Sequence, residues 1–315
     1  MNHKNRSYFK VPFFYAVPAL LLSGCGGTVL SSQGNSTSSK DTSSRAPVAQ
    51  VIILAGQSNM EGNTWNDGLY AAIGQEKYQA YVDGFPTIKI DFSCAGGSQN
   101  SHDKFRPTCI GQGCSINQFG PEVGMAESLS KLPLTQPVFL IKYAVGGTNL
   151  YSDWRSPSSG STGKLYTSLL LFVISALEEV ENLGYAPDIR AFCWMQGESD
   201  SYVDFANFYY DRLKGFVTDV RARLASYTSY PDQVIPFVDA GISDSSVWPF
   251  YGLINSSKKK FSDENPKKNL YFSTIDAGLS YSKEPVSNPD PYHYDSTSEI
   301  LLGKLFADQV TPLLS

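Results

Sequence analysis

The sequence predicts an α/β protein, a three-layer α/β/α arrangement around a central, mostly parallel sheet. Three observations carry this. Short apolar runs alternate with longer segments of helical period, the signature of crossover units that build a parallel sheet with helices on both faces. The first run, Val51-Ile52-Ile53-Leu54-Ala55, is apolar at consecutive positions, as a strand covered on both faces must be. Three of the runs then end in polar, glycine-containing clusters, starting near Gly56, Gly146 and Gln196. The carboxyl ends of parallel strands share one edge, where open α/β sheets bind ligands.

The chain divides into three parts. Residues 1–24 read as an export leader. Lys4, Arg6 and Lys10 make a basic start without an acid, and the apolar stretch 11–22 is shorter than the roughly 20 residues a membrane span takes. Leu22-Ser23-Gly24-Cys25 resembles the lipobox of bacterial lipoproteins. That resemblance implies cleavage before Cys25, a lipid on Cys25 and attachment to a membrane. Gly26, where an inner-membrane signal usually has aspartate, points to the outer membrane, at its periplasmic face or the cell surface. A plain secretory signal is the alternative. Residues 25–47 are rich in Ser, Thr and Gly, bury no core and read as a flexible tether. Residues 48–315 form the folded domain.

The chain has 25 basic and 30 acidic residues; losing the leader removes three bases and no acid, which leaves 22 against 30, a net charge of −8. With no basic patch, nucleic acid is not an expected partner. Besides Cys25 there are Cys94, Cys109, Cys114 and Cys193. Export permits disulfides. A bridge is expected between Cys109 and Cys114, or between Cys94 and one of them, while Cys193 sits in an apolar run and reads as a buried free thiol. The spacing lacks paired CxxC units and histidine is scarce, so no metal site is expected.

Along the domain, strands are expected at 51–56, 87–93, 137–145, 189–195, 234–240 and 270–275. Helices are expected at 121–131, 165–183, 205–227, 247–261 and 296–310. Pro121 suits the first turn of its helix, and Gly184 stops another. Residues 95–118 are rich in Gly, Ser, Asn and Cys and read as a long loop, a length that is usually functional or stapled.

Ser58 follows the first strand by two residues and is a candidate nucleophile. A serine hydroxyl needs a base, an acid and oxyanion donors to act as one. Of the three histidines, His3 leaves with the leader and His102 lies in the cysteine-bearing loop. His293, in Asp290-Pro291-Tyr292-His293, stands between the last strand and the last helix. Asp290, one turn before it, can bring a carboxylate to one imidazole nitrogen while the other faces Ser58. Glu198 is the alternative acid, although a structural role for Glu198 and Asp200 is favoured. The backbone N–H groups of Ser58 and Gly147 and the side-chain amide of Gln196 are candidate oxyanion donors. Gln57, Asn59, Tyr151, Trp154 and Arg155 are candidate substrate contacts.

Gly56-Gln57-Ser58-Asn59-Met60, Gly146-Gly147-Thr148, Trp194-Met195-Gln196-Gly197-Glu198-Ser199-Asp200 and Asp290-Pro291-Tyr292-His293 resemble the ordered blocks of the SGNH hydrolase superfamily. More narrowly, they resemble the sialate O-acetylesterase and acetylxylan esterase group of carbohydrate esterases. Phe119-Gly120-Pro121-Glu122 matches a segment common in that group. The likeness spans about residues 51–307. It implies Ser58 as nucleophile, His293 as base, Asp290 as acid, and Ser58, Gly147 and Gln196 around the oxyanion. It also implies O-acetyl esters on carbohydrate as substrate, and no metal or organic cofactor. Gln196 departs from the superfamily, most of which has asparagine there. The expected activity is two-step acyl transfer on acetylated xylan-type polysaccharide or O-acetylated sialic acid. The competing readings are a general short-chain esterase and a surface lipoprotein that binds glycan without turning it over.

Overall fold

The computed structural model describes residues 45–314. The leader, Cys25 and residues 26–44 of the tether lie outside the described residues. In chain order the elements are β1 (Val48–Gly56), α1 (Ser58–Glu61), β2 (Thr64–Trp65), α2 (Asn66–Ile73), α3 (Gln75–Asp83), β3 (Phe85–Cys94), β4 (Gln99–Asn100), β5 (Arg106–Thr108), β6 (Gln118–Phe119), α4 (Glu122–Leu129), β7 (Val138–Ala144), α5 (Lys164–Asn182), β8 (Ala186–Met195), α6 (Tyr209–Leu224), β9 (Phe237–Ala240), α7 (Tyr251–Glu264), β10 (Asn269–Phe272) and α8 (Ser296–Val310).

The main sheet runs β10-β9-β8-β1-β7-β3, all parallel, with β4 and β5 added antiparallel to β3 at one edge. Helices flank it on both faces. α2, α4 and α8 pack together, as do α6 and α7; Tyr166 of α5 meets Phe216 of α6 edge to face. β1 sits in the middle, and its residues 49–56 are buried on both faces, which is why its sequence is apolar without alternation.

The register of β1 builds the candidate site. Gly56 lies opposite Ala144 of β7 and opposite Met195 of β8. The three chains therefore leave the sheet side by side, carrying Gln57-Ser58, Val145-Gly146-Gly147 and Gln196-Gly197-Glu198. Gly56 has φ +150°, and a Cβ on it would lie 1.9 Å from Met195 O. Only glycine lets the chains run this close.

The six expected strands and five expected helices are present, with ends shifted by a few residues. The expected loop at 95–118 instead holds β4 and β5, with β6 at its end, and β6 pairs with β2. α2 and α3 were not foreseen; α3 buries none of its residues, so it carries no clear apolar stripe.

Among the described residues two lysines are fully buried and tie helices to strands. Lys142 of β7 bonds Glu122 of α4 at 2.8 Å, and also Gln112 O at 2.7 Å and Glu61 O at 3.1 Å. Lys258 of α7 bonds Asp239 of β9 at 2.5 Å and Ala240 O at 2.8 Å. Removing one partner of such a pair leaves an uncompensated buried charge. The Phe119-Gly120-Pro121-Glu122 segment thus serves Glu122, whose other oxygen accepts the Gly120 N–H at 3.0 Å.

The helices α4 and α8 meet backbone to backbone. A Cβ at Gly124 would lie 2.0 Å from Ile300 O, and one at Gly303 would lie 2.0 Å from Pro121 O.

The expected disulfide is not formed: Cys94, Cys109, Cys114 and Cys193 are all free thiols. Cys94 and Cys114 are both held at Glu61-Gly62 without a bond between their sulfurs, and Cys109 is anchored elsewhere. Cys94 ends β3 with its Sγ 3.6 Å from Glu61 O, Cys109 stands against Gly84, and the Cys114 N–H bonds Gly62 O at 2.8 Å. Burial pushes the Cys94 thiol up to about 12 and raises Cys109 and Cys114, which leaves little thiolate for exchange. Cys193 is the buried free thiol expected.

Candidate active site

Ser58 opens α1 and is 7 % exposed. Its neighbour across the edge is Gly146, where a Cβ would come within 3.4 Å of Ser58 Cβ and 2.8 Å of Glu61 Oε2. Glu61, buried beneath, holds this arrangement. Its Oε2 accepts the Gly146 N–H at 3.0 Å and the Asn63 amide at 3.2 Å, and its Oε1 accepts the Ala95 N–H at 2.5 Å. With Gly146 so held, Gly147 turns through φ +69° with open space where a side chain would be. No acceptor among the described residues takes the Gly147 or the Ser58 N–H. Two fixed donors beside a serine hydroxyl are what a developing oxyanion requires.

His293 comes from the other side, on the irregular segment between β10 and α8. Its Nδ1 bonds Asp290 Oδ2 at 2.7 Å, and Asp290 Oδ1 accepts the Tyr292 N–H at 2.7 Å. Partial burial raises the Asp290 carboxyl, but these bonds outweigh it and hold it below the usual value. The ionised carboxylate only accepts, so Nδ1 carries a proton, and in the neutral imidazole the lone pair is then on Nε2.

Asn59, the residue after Ser58, clamps this segment. Its Oδ1 accepts the Tyr294 N–H at 3.3 Å and its Nδ2 reaches Tyr292 O at 3.5 Å, so one amide holds the residues on either side of His293. Thr64 bonds Tyr294 O at 2.9 Å and Ser245 bonds Pro291 O at 2.7 Å. Asp290 and His293 then line a small crevice together with Asn63, Thr64, Trp65, Glu284 and Tyr294.

The acids of the third strand end face inward. Glu198 accepts from Asn59 Nδ2 at 2.7 Å and is fully buried, which raises its pKa. It makes no bond to His293, and the histidine's carboxylate partner is Asp290. Asp200 accepts the N–H groups of Leu150 at 2.7 Å and Tyr151 at 3.0 Å, tying the glycine turn to the Gln196 turn. Burial pushes Asp200 up to about 6.

Several expected contacts take other roles. The Gln196 amide is buried, and its Nε2 faces Asp200 Oδ2 at 2.6 Å, Thr148 O at 3.1 Å and Gln57 Oε1 at 3.2 Å. Two N–H bonds facing three protein acceptors leave none for an oxyanion. Gln57 is buried, and its Oε1 also accepts the N–H of Ser199 at 3.2 Å. Asn59 is buried as the clamp described. Trp154 has no exposed surface; it donates to Thr148 Oγ1 at 2.8 Å and packs on Trp194. None of these four offers a free surface to substrate. Tyr151 is half-buried and stacks on Phe205, and Arg155 donates to Ser159 O at 3.0 Å and Ser161 at 3.2 Å.

Sequence reasoning missed Glu61, Asn63 and Trp65. The signal for Glu61 was an acid three residues after the serine, one turn along α1 and so on the serine's own side of the chain. Among the described residues no group of three or more His, Cys, Asp or Glu side chains is placed to hold a metal ion. No helix among them is long and apolar enough to cross a membrane.

Three solved structures share the fold. A protein from Arabidopsis thaliana is 16% identical with a TM-score of 0.59, covering 85% of this chain and all of that one. NanS is 14% identical with a TM-score of 0.56, covering 85% and 98%. A carbohydrate acetylesterase from Xanthomonas citri is 15% identical with a TM-score of 0.53, covering 82% of this chain and 56% of that longer one. No curated protein matches the sequence. The family model described as carbohydrate esterase, sialic acid-specific acetylesterase, matches residues 48–312, nearly the whole folded domain. The chain belongs to that family and is a carbohydrate esterase of the O-acetylesterase class.

Proposed function

We propose that the chain removes acetyl groups from carbohydrate through an acetyl-serine intermediate on Ser58. One observation carries the reading: Asn59, next to Ser58, holds both residues flanking a histidine whose Nδ1 is bonded to Asp290. In the first step Ser58 Oγ bonds to the acetyl carbon and its proton passes to His293 Nε2. The oxyanion lies against the Ser58 and Gly147 N–H groups. The bond to the sugar oxygen breaks, and that oxygen leaves with the proton from His293. Water, deprotonated by His293, then attacks the acetyl-serine, releases acetate and returns the proton to Ser58. Asp290 keeps the imidazole in one tautomer and stabilises its charged form. No step needs a metal or an organic cofactor.

The reading extends to an exported lipoprotein held by Cys25, supported by the basic leader and the Leu22-Ser23-Gly24-Cys25 block. The test is acetate release from acetylated oligosaccharide by the membrane fraction of cells expressing the full chain, beside Ser58→Ala and Cys25→Ser. Ser58→Ala is expected to lose turnover by about 10³-fold or more, the order of magnitude seen when a serine triad loses its nucleophile. Cys25→Ser is expected to move the activity out of the membrane fraction. Turnover that survives Ser58→Ala would sink the acetyl-serine mechanism, and activity that stays with the membrane in Cys25→Ser would sink the anchor.

A further inference from the structure

Next to the His293 crevice lies a larger groove of about 510 Å³ that the reaction steps do not use. Trp65, Asp67, Ala71, Ala72, Pro285 and Val286 line it. Two residues, Trp65 and Glu284, belong to both the groove and the crevice, so the two adjoin. A sugar seated in the groove would lie beside the crevice that His293 lines.

The walls are fixed by named contacts. α2 makes one side. The other is the 284–286 segment, held because Glu284 accepts from the Ser296 N–H and hydroxyl, each at 2.8 Å, at the start of α8. Gly68 gives Glu284 its room: a Cβ there would lie 2.3 Å from Glu284 Oε2. Between the walls the Trp65 indole is 46 % exposed and Val286 88 %. Such large apolar groups beside a reaction centre serve binding better than folding.

The chemistry of the lining selects the ligand. An exposed indole offers a flat apolar face to the C–H side of a pyranose ring. Carboxylates accept hydrogen bonds from sugar hydroxyls, and Asp67 forms no ion pair among the described residues. The lining holds two carboxylates, Asp67 and Glu284, and no cation. The arginine after the glycine turn, Arg155, is bonded to Ser159 and Ser161. A sugar bearing its own carboxylate would meet like charge here, whereas an uncharged sugar meets acceptors.

We propose that this groove is the subsite for the sugar that leaves, and that it takes an uncharged pyranose, with Trp65 as its platform and Asp67 as a hydroxyl acceptor. The proposal rests on the esterase reading for its geometry, but its test does not depend on turnover. Intact protein is titrated calorimetrically with xylotetraose, which carries no acetyl group, and with N-acetylneuraminic acid. Xylotetraose is expected to bind about tenfold more tightly or better, a difference of about 1.4 kcal/mol. Trp65→Ala is expected to weaken xylotetraose about tenfold, and Trp65→Tyr to recover most of the loss. Asp67→Lys, an exposed change that leaves the groove's shape intact, is expected to shift the preference several-fold toward the acidic sugar. The proposal is overturned if N-acetylneuraminic acid binds as well as xylotetraose, if xylotetraose does not bind, or if folded Trp65→Ala keeps full affinity. Loss of acetate release with these affinities unchanged would count against the esterase mechanism alone.

Discussion

Ser58 and His293 are held in opposite ways. Ser58 leaves the central strand of the sheet, with β7 and β8 paired on either side of β1. Its position follows from strand register and a buried apolar core. His293 rides on a segment whose only pairing is one isolated bridge, Tyr281 to Tyr294, with single side chains, chiefly Asn59, Thr64 and Ser245, holding its flanks. A sheet averages its geometry over many bonds, while a tethered loop depends on each one. Damage to the serine side should therefore appear as lost stability, and damage to the histidine side as lost rate.

The sharpest way to break this contrast is at Asp290. Asp290→Asn leaves the loop's length and most of its contacts, but an amide nitrogen facing Nδ1 favours the wrong tautomer. We expect kcat to fall roughly 100- to 10,000-fold with little change in melting temperature; a small rate loss with a large drop in melting temperature would mean that the loop is a folding element. Asn59→Ala should come next. It removes both ties to the histidine segment and leaves Glu198 without its partner, so kcat should fall by up to about 100-fold through misplacement. Stability should fall by about 1–3 kcal/mol from the unpaired buried acid. Urea titrations beside single-turnover rates would separate the two. The smallest effect concerns Asp200. Burial raises its folded pKa to about 6, above the 3.8 of a free carboxyl. A raised acid favours folding fully below pH 3.8 and loses that contribution as pH rises through 6, by about 3 kcal/mol at most for a shift of this size. Asp200→Asn should flatten the fall in urea midpoint between pH 4 and pH 7; an unchanged slope would assign the fall to other groups.

What the sequence made legible follows the same division. The buried strands announce themselves because consecutive apolar residues have few other uses, and three polar strand ends had to share an edge once the sheet was parallel. The pairing of His293 with Asp290 was readable because it is local, three residues along one turn. What was not readable is which way a polar side chain faces. Gln57, Asn59, Gln196 and Trp154 stand at an active edge and were assigned to the reaction or the sugar, yet their partners are residues up to 235 positions away, as in the bond from Tyr294 to Asn59. Such contacts leave no periodicity. Trp65 was missed for the converse reason, since nothing in a single tryptophan says that its ring is left bare. The free cysteines teach a related point: nearness in sequence placed Cys109 and Cys114 five residues apart without bringing their sulfurs into one bond.

The glycine seam between α4 and α8 bears on the histidine as well. α8 begins at Ser296, three residues after His293, so any sideways movement of the helix drags the loop with it. Where helices meet through side chains, a bulky residue can be absorbed by a change of rotamer. Gly124 and Gly303 leave only backbone against backbone, and backbone cannot yield in that way. A single methyl group added there would be passed on undiminished, because close-packed interiors transmit strain. The aim of the imidazole is set in part by two residues with no side chain.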